Sequence, residues 1–289
     1  MSRKSGPFLS NLAQVDPGLG VLRLAALLAD GSEAPDDETL DEMFELVEAG
    51  ALADTKPTDI WLELVRGLMA RHPSKMIIAL HECGALKKVL PEVADLFGVP
   101  QITDDPTPVD LGEHLLKSLD EAAWRDAPLA VRFALLVMNV GKADSPPEHL
   151  PVHYRHVERG GPRIKAIAGR FAVSGECADL ALLALSECER VHRASEIRAG
   201  PVTAMLERLG AFDAPERFSL MMTVCACDYC AYGERSGEPY PKRALLERAL
   251  AACATVDKTA YDGEDVQDAR ATAIARAFRS QRWAGGAEE

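Results

Sequence analysis

The sequence predicts an all-α protein. Apolar residues recur at helical spacing along nearly the whole chain, no convincing period-2 run marks a strand, and the breaks between apolar stretches carry turn chemistry. Those breaks are DGSEAPDD (30–37), GVPQITDDPTP (98–108), KADSPPEHLP (142–151) and GERSGEPYP (233–241). Between them the spacing predicts helices over 20–29, 37–49, 57–71, 74–82, 86–97, 110–124, 128–140, 162–172, 176–193, 201–208, 214–231, 241–254 and 264–283. The clearest is PTDIWLELVRGLMAR. Its Ile60, Trp61, Leu64, Val65, Leu68 and Met69 form one stripe, and Pro57 and Asp59 suit a first turn whose N–H groups lack partners. The stretches 98–109 and 142–161 are the longest predicted loops, and loops on a helical body are where sites tend to lie. The closing AGGAEE reads as a disordered tail.

With 289 residues, 47% of them hydrophobic, the chain can bury one large core or two modest ones. The 32 Lys and Arg stand against 45 Asp and Glu, a net charge of −13, which disfavours long-range attraction to nucleic acid or an anionic membrane. RNA binding would need a local basic patch. Seven cysteines lie within or beside apolar helical segments, without the short loop-rich frame of a secreted disulfide scaffold, so a reducing cytoplasm is expected. MSRKSGPFLSN lacks the apolar core of a signal peptide, and ALLVMNVG is too short to span a bilayer. No membrane association is expected.

From about residue 12 to 280 the sequence resembles the neck, body and tail of bacterial tRNA nucleotidyltransferases, the CCA-adding enzymes, in the version that carries an appended HD domain. The resemblance rests on VDPGLGVLRLAALLADG (15–31), PTDIWLEL (57–64), HECGALKKVLPEVADLFGVPQ (81–101), GEHLLKSL (112–119), VRFALLVMNVGK (131–142), HYRHVERGG (153–161) and CDYC (227–230). It implies a neck-like segment over 1–75, a degenerate HD-like body over 76–258 and a tail over 259–289.

The departures from that pattern bear on chemistry. The family's catalytic head, with its Gly-Ser phosphate loop and Asp-x-Asp metal pair, would lie before residue 1, and without two carboxylates nucleotidyl transfer has no obvious machinery. In the neck, the base-selecting Glu-Asp-x-x-Arg type motif corresponds to Val15, Asp16 and the stretch Gly18-Leu19-Gly20, which offers no side-chain donors or acceptors after the aspartate. In the HD region the resemblance keeps a first histidine as His114, replaces the His-Asp pair by Met138-Asn139, and retains Gly141-Lys142, His153, His156, His192 and Asp228, with Tyr154 and Cys188 at two further histidine positions. A thioether and a neutral amide are poor ligands for a hard or borderline divalent ion. No metal and no other cofactor is expected, no catalytic residue is assigned, and the eight positions His114, Met138, Asn139, Lys142, His153, His156, His192 and Asp228 are read as the remnant of an HD pocket.

Other patterns carry less. His149 could join the remaining histidines on a metal, but such rings more often hydrogen-bond within a core. Three cysteines in Cys225-Ala-Cys227-Asp-Tyr-Cys230 would point in different directions on one helix and are read as buried apolar thiols. His81-Glu82-Cys-Gly-Ala85 lacks the second histidine of a zinc motif. Arg159-Gly-Gly-Pro162-Arg163 with Lys165 could face a phosphate, though a helix starting at Pro162 is the simpler reading. Arg270, Arg276, Arg279 and Arg282, beside Trp283, are the candidates for contact with tRNA or other RNA. The expectation is a headless, non-catalytic relative that binds RNA weakly or a protein partner. The alternatives are the body and tail subunit of a split CCA-adding enzyme, whose partner would be a separate nucleotidyltransferase head, and a residual HD-type phosphohydrolase or phosphodiesterase.

Overall fold

The computed structural model describes residues 16–31, 36–102, 108–194, 198–233, 235–260 and 264–278. The helices are α1 (Pro17–Leu28), α2 (Asp37–Glu48), α3 (Pro57–Leu68), α4 (Pro73–Glu82), α5 (Ala85–Val89), α6 (Pro91–Ala94), α7 (Leu111–Trp124), α8 (Leu129–Val137), α9 (His156–Phe171), α10 (Gly175–His192), α11 (Ala199–Arg208), α12 (Pro215–Cys230), α13 (Pro241–Cys253) and α14 (Glu264–Ala277). The fold is all-α. The described strands are a two-residue antiparallel pair, β1 (Pro100–Gln101) and β2 (Val109–Asp110), with Pro100 opposite Asp110.

Local chemistry explains most boundaries. Asp16 caps α1, its Oδ1 accepting from the Leu19 N–H at 3.0 Å, and proline occupies the first turn of α1, α3, α4, α6, α12 and α13. The helix expected over 86–97 is two short ones. Pro91 cannot donate and forces its predecessor out of helical geometry, so Leu90 sits at φ −137°, ψ 63° and the chain restarts. The helix expected from Pro162 begins six residues earlier, at His156, with Pro162 inside it. Gly161, having no Cβ, escapes part of the clash that a proline ring imposes on the residue before it. In α3 the expected stripe is buried at Ile60, Leu64 and Leu68, while Met69, just past the last helical residue, is exposed.

One apolar core runs from Val21 to Phe278 and crosses both 75 and 258, the points at which the resemblance divides the sequence. Its centre is α8, where every residue from Ala130 to Val137 is buried. Around α8 pack α10, α12, α7 and α3, while α1 lies on α3 and α4, and α14 covers α11 and α13. At the α3 end of the core the Trp61 ring stacks on Phe171 at 6.0 Å and meets Phe133 edge-on at 5.7 Å.

Within this apolar centre lies a charged side chain, Arg132. Its guanidinium donates to the carbonyl oxygens of Ala127 (2.8 Å), Leu68 (2.7 Å) and Ala70 (3.0 Å), fastening the carboxyl end of α3 to the start of α8. These carbonyls belong to a helix end and a turn, which have no helical partner of their own. Replacing the side chain with leucine leaves three buried acceptors unsatisfied. Arg132→Leu is expected to lower unfolding free energy by roughly 3 kcal/mol in urea titration, with the helical circular dichroism of the folded state unchanged.

Candidate functional site

Three helices bring three side chains to one buried cluster. Asp228, in the last turn of α12, accepts from His114 Nε2 on α7 at 2.9 Å through Oδ1 and from His192 Nε2 on α10 at 2.9 Å through Oδ2. His114 is fully buried and stacks on Tyr232 with centroids 4.1 Å apart. His192, the last residue of α10, shares hydrogen between its Nδ1 and the Tyr240 hydroxyl at 2.8 Å. Cys188 lies one turn before His192 on the same helix face, its Sγ 3.4 Å from His192 Nε2 and 3.7 Å from the Cys225 Sγ.

The electrostatics follow from this packing. Burial works to raise the Asp228 carboxyl, but the His114 ring and the N–H donors of both histidines override it and hold the carboxyl far below its ordinary range. Burial likewise works against charge on His192, yet the Cys188 sulfur and the Asp228 carboxylate push it up to about 10. Of these two the carboxylate is the lasting cause, because the buried Cys188 thiol is itself held well above its usual range by Cys225 and by burial, and so stays neutral. Near neutral pH the cluster is a carboxylate facing an imidazolium. Tyr240, raised by burial, stays a neutral phenol.

This cluster forms one wall of a cavity of ≈ 360 Å³. Met138 and Asn139, which follow α8, line a second wall, and Lys142, Glu189, His156 and Gln101 line the rim. Lys142 is buried and donates to Gln101 Oε1 and pairs with Glu189 Oε1, both at 2.9 Å. Burial opposes charge on Glu189, and the Lys142 ammonium outweighs it, keeping the carboxyl below its ordinary range. His156 donates from Nδ1 to the His153 carbonyl (2.9 Å), and burial pushes the pKa of its ring down.

The rim is held by a backbone crossing. A Cβ at Gly141 would lie 2.1 Å from the His156 carbonyl oxygen and 2.6 Å from the Gly160 nitrogen, so the loop after α8 can pass α9 only as glycine. Arg159 and Arg163 reinforce the crossing, donating to the carbonyls of Gly141 (3.0 Å) and Val140 (3.0 Å). The basic cluster before Lys165 is thereby tied to the loop.

No family model matches the chain. It is 40% identical over 271 residues to the multifunctional CCA protein of Polaromonas naphthalenivorans, covering 89% of this chain and 63% of that protein. The corresponding protein of Paracidovorax citrulli is 41% identical over 244 residues (84% and 57%), and that of Burkholderia lata 39% over 270 (90% and 65%). The chain is a homologue of these multifunctional CCA proteins over most of its own length. It spans about three fifths of the length of these relatives.

In this homologue of the CCA proteins the eight positions expected in one pocket do not all converge. His114, His192 and Asp228 form the cluster, and Met138, Asn139, Lys142 and His156 line the cavity. His153 turns away. Its Nε2 donates to the Pro100 carbonyl at 3.0 Å and its Nδ1 accepts from Ser145 at 2.8 Å, which pins the β1 end of the hairpin and engages both nitrogens. A metal held by an adjacent His-Asp pair does not fit here, because positions 138 and 139 supply only a thioether and an amide.

Among the arginine candidates, Arg270 is buried, bound to Glu207 Oε1 at 2.7 Å and lying 3.8 Å from the Phe212 ring centroid, so its charge is neutralised inside the protein. Arg276 is exposed in a cleft shared with Asp257, Asp265 and Asp268. Arg279 and Arg282 lie outside the described residues. Asp16, expected as the surviving polar group of the neck motif, is the α1 cap. Gly18 beside it is backbone packing, since a Cβ there would come within 2.3 Å of the Ala51 oxygen. Cys225, Cys227 and Cys230 are buried and free. Nothing in the sequence pattern signals that Tyr240 would meet His192, because it stands just before α13, far from α10 along the chain, and only packing joins them.

The pH dependence follows by linkage. His192 is raised in the fold, so its contribution is complete below about pH 6.5 and is lost as pH climbs through about 10; Asp228 is depressed, so its contribution is complete above about pH 4 and is lost on acidification below it. With chelator present, unfolding free energy should plateau between these limits and fall on both sides. Asp228→Asn should flatten both arms and cost roughly 3–5 kcal/mol at pH 6, as read by urea unfolding across pH.

Proposed function

We propose that this helical body holds RNA, with tRNA as the class the family implies, and that its HD-derived pocket no longer hydrolyses phosphoesters by a His-Asp metal site. The observation that carries the second half is the cavity wall itself. Met138 and Asn139 line it where the resemblance expects an imidazole and a carboxylate, and the carboxylate that is present, Asp228, is already engaged by histidines from two helices. A divalent ion in that older arrangement would find one anionic ligand already engaged and two neutral, weak ones.

The first half is supported by the family relationship rather than by charge. A chain with net charge −13 has to bind a polyanion locally, and it has to do so against its own field. Arg276, with Arg279 beyond it, is the stretch we assign to that contact, through phosphate neutralisation rather than base reading. Among the described residues no helix is long and apolar enough to cross a membrane. Seven buried free thiols suit the reducing cytoplasm in which such a protein would meet tRNA.

A gel-shift titration of tRNA over a range of salt tests the RNA reading. Weak binding that falls steeply with salt is expected, and Arg276→Ala with Arg279→Ala should make the slope of log affinity against log salt shallower by about one for each phosphate the two arginines neutralise. No binding at low salt would turn the reading toward a protein partner, and co-purification with a nucleotidyltransferase head would make the chain part of a split enzyme. Incubated with a 2′,3′-cyclic phosphate and divalent metal ions, the purified chain should show no turnover above buffer. Robust turnover abolished by Asp228→Asn would overturn the non-catalytic reading.

A further inference from the structure

The cluster at Asp228 has a second property, independent of the RNA reading. Cys188, His192 and Asp228 each present one ligand atom, and these atoms all lie within 4.8 Å of one another. We propose that these three residues form a zinc-class metal site, one that uses neither Met138 nor Asn139 and takes Cys188 where the resemblance expects a histidine.

The donor set suits the ion. Thiolate, imidazole and carboxylate together favour a borderline cation such as Zn²⁺ over Mg²⁺ or Ca²⁺, which prefer oxygen alone. The spacing suits it as well. For metal–sulfur and metal–nitrogen bonds of about 2.3 and 2.0 Å in a tetrahedron, sulfur and nitrogen stand about 3.5 Å apart and nitrogen and oxygen about 3.3 Å. Cys188 Sγ and His192 Nε2 are 3.4 Å apart, and His192 Nε2 and Asp228 Oδ2 are 2.9 Å apart. The two helical ligands are four residues apart on α10, on one face, so a single rigid element aims both.

A second observation, beyond the three ligands, is the shell behind them. Ligating histidines are held by a partner on the other ring nitrogen, and the Tyr240 hydroxyl sits 2.8 Å from His192 Nδ1. Ligating carboxylates are held in turn, and the Asp228 oxygen that would not face the ion is bound by fully buried His114 at 2.9 Å. Both outer contacts remain intact when an ion replaces the proton between His192 and Asp228.

Charge balances without rearrangement. Metal-free, the site holds a carboxylate, an imidazolium and a thiol, a net charge of zero. Loaded, it holds Zn²⁺, a carboxylate, a thiolate and a neutral imidazole, again zero, with one proton leaving Cys188 and one leaving His192 for solvent. All three ligands line the cavity, so the fourth position faces Asn139, Lys142 and His156 and takes a water or an anion.

Cobalt(II) reads the site directly, because a thiolate ligand gives a near-ultraviolet charge-transfer band. The purified full chain, stripped with chelator, should bind one equivalent of Co²⁺ with that band, and Zn²⁺ should bleach it. Cys188→Ser should abolish the band and weaken Zn²⁺ by about tenfold or more, Tyr240→Phe should keep the band and weaken Zn²⁺ by about 10- to 100-fold, and Cys253→Ser on α13 should change neither. Circular dichroism establishes that each variant is folded; should Cys188→Ser fail to fold, His192→Gln must lose the one-equivalent binding instead. Absence of the band in the unmodified chain, its survival in folded Cys188→Ser, or its loss only on Cys225→Ser would each overturn the assignment. None of these outcomes depends on RNA.

Discussion

Asp228 is buried on α12 and cannot stay ionised there without N–H donors. Those donors come from α7 and α10, so three helices are placed relative to one another by the demands of one carboxylate. The pairing orders the cavity as well: Cys188 and His192 face it from α10, and Tyr232 enters it by stacking on the His114 ring. Leaving that carboxylate unpaired would cost more than any single apolar contact around it.

Met138 and Asn139 then take on a different meaning. In this cavity they offer a metal only a thioether and a neutral amide, and they add no charge to it. The remaining charge is met from within by the His192 imidazolium, and Lys142 finds Glu189 across the rim. Arg193, exposed on the same rim, donates to the Glu189 carbonyl and adds a further cation.

Much of the fold was legible because helices are written locally. The caps, prolines and apolar stripes located nearly every helix, and where they misled, the cause was also local: Pro91 splits one helix, and Gly161 allows Pro162 to ride inside another. The cavity was legible in part, through family resemblance, since positions 114, 138, 139, 142, 156, 192 and 228 all reach it or its buried wall. What stayed hidden were facts of side-chain direction. Arg270 reads as a surface cation on a basic helix and is instead buried on Glu207 and Phe212; His153 reads as a pocket histidine and instead braces a hairpin. Arg132, in an apolar run, betrayed nothing of the three carbonyls it serves. Such roles depend on residues far away along the chain, and one sequence carries no record of them.

The crossing of Gly141 over Gly160 leaves no room for a side chain, and so it holds the loop after α8 at a fixed height above α9 whatever stands at 138 and 139. Shape and chemistry are thereby uncoupled in this pocket: the backbone keeps a socket open while its furnishings are exchanged. A protein built this way can change the side chains of the chamber without losing the chamber itself.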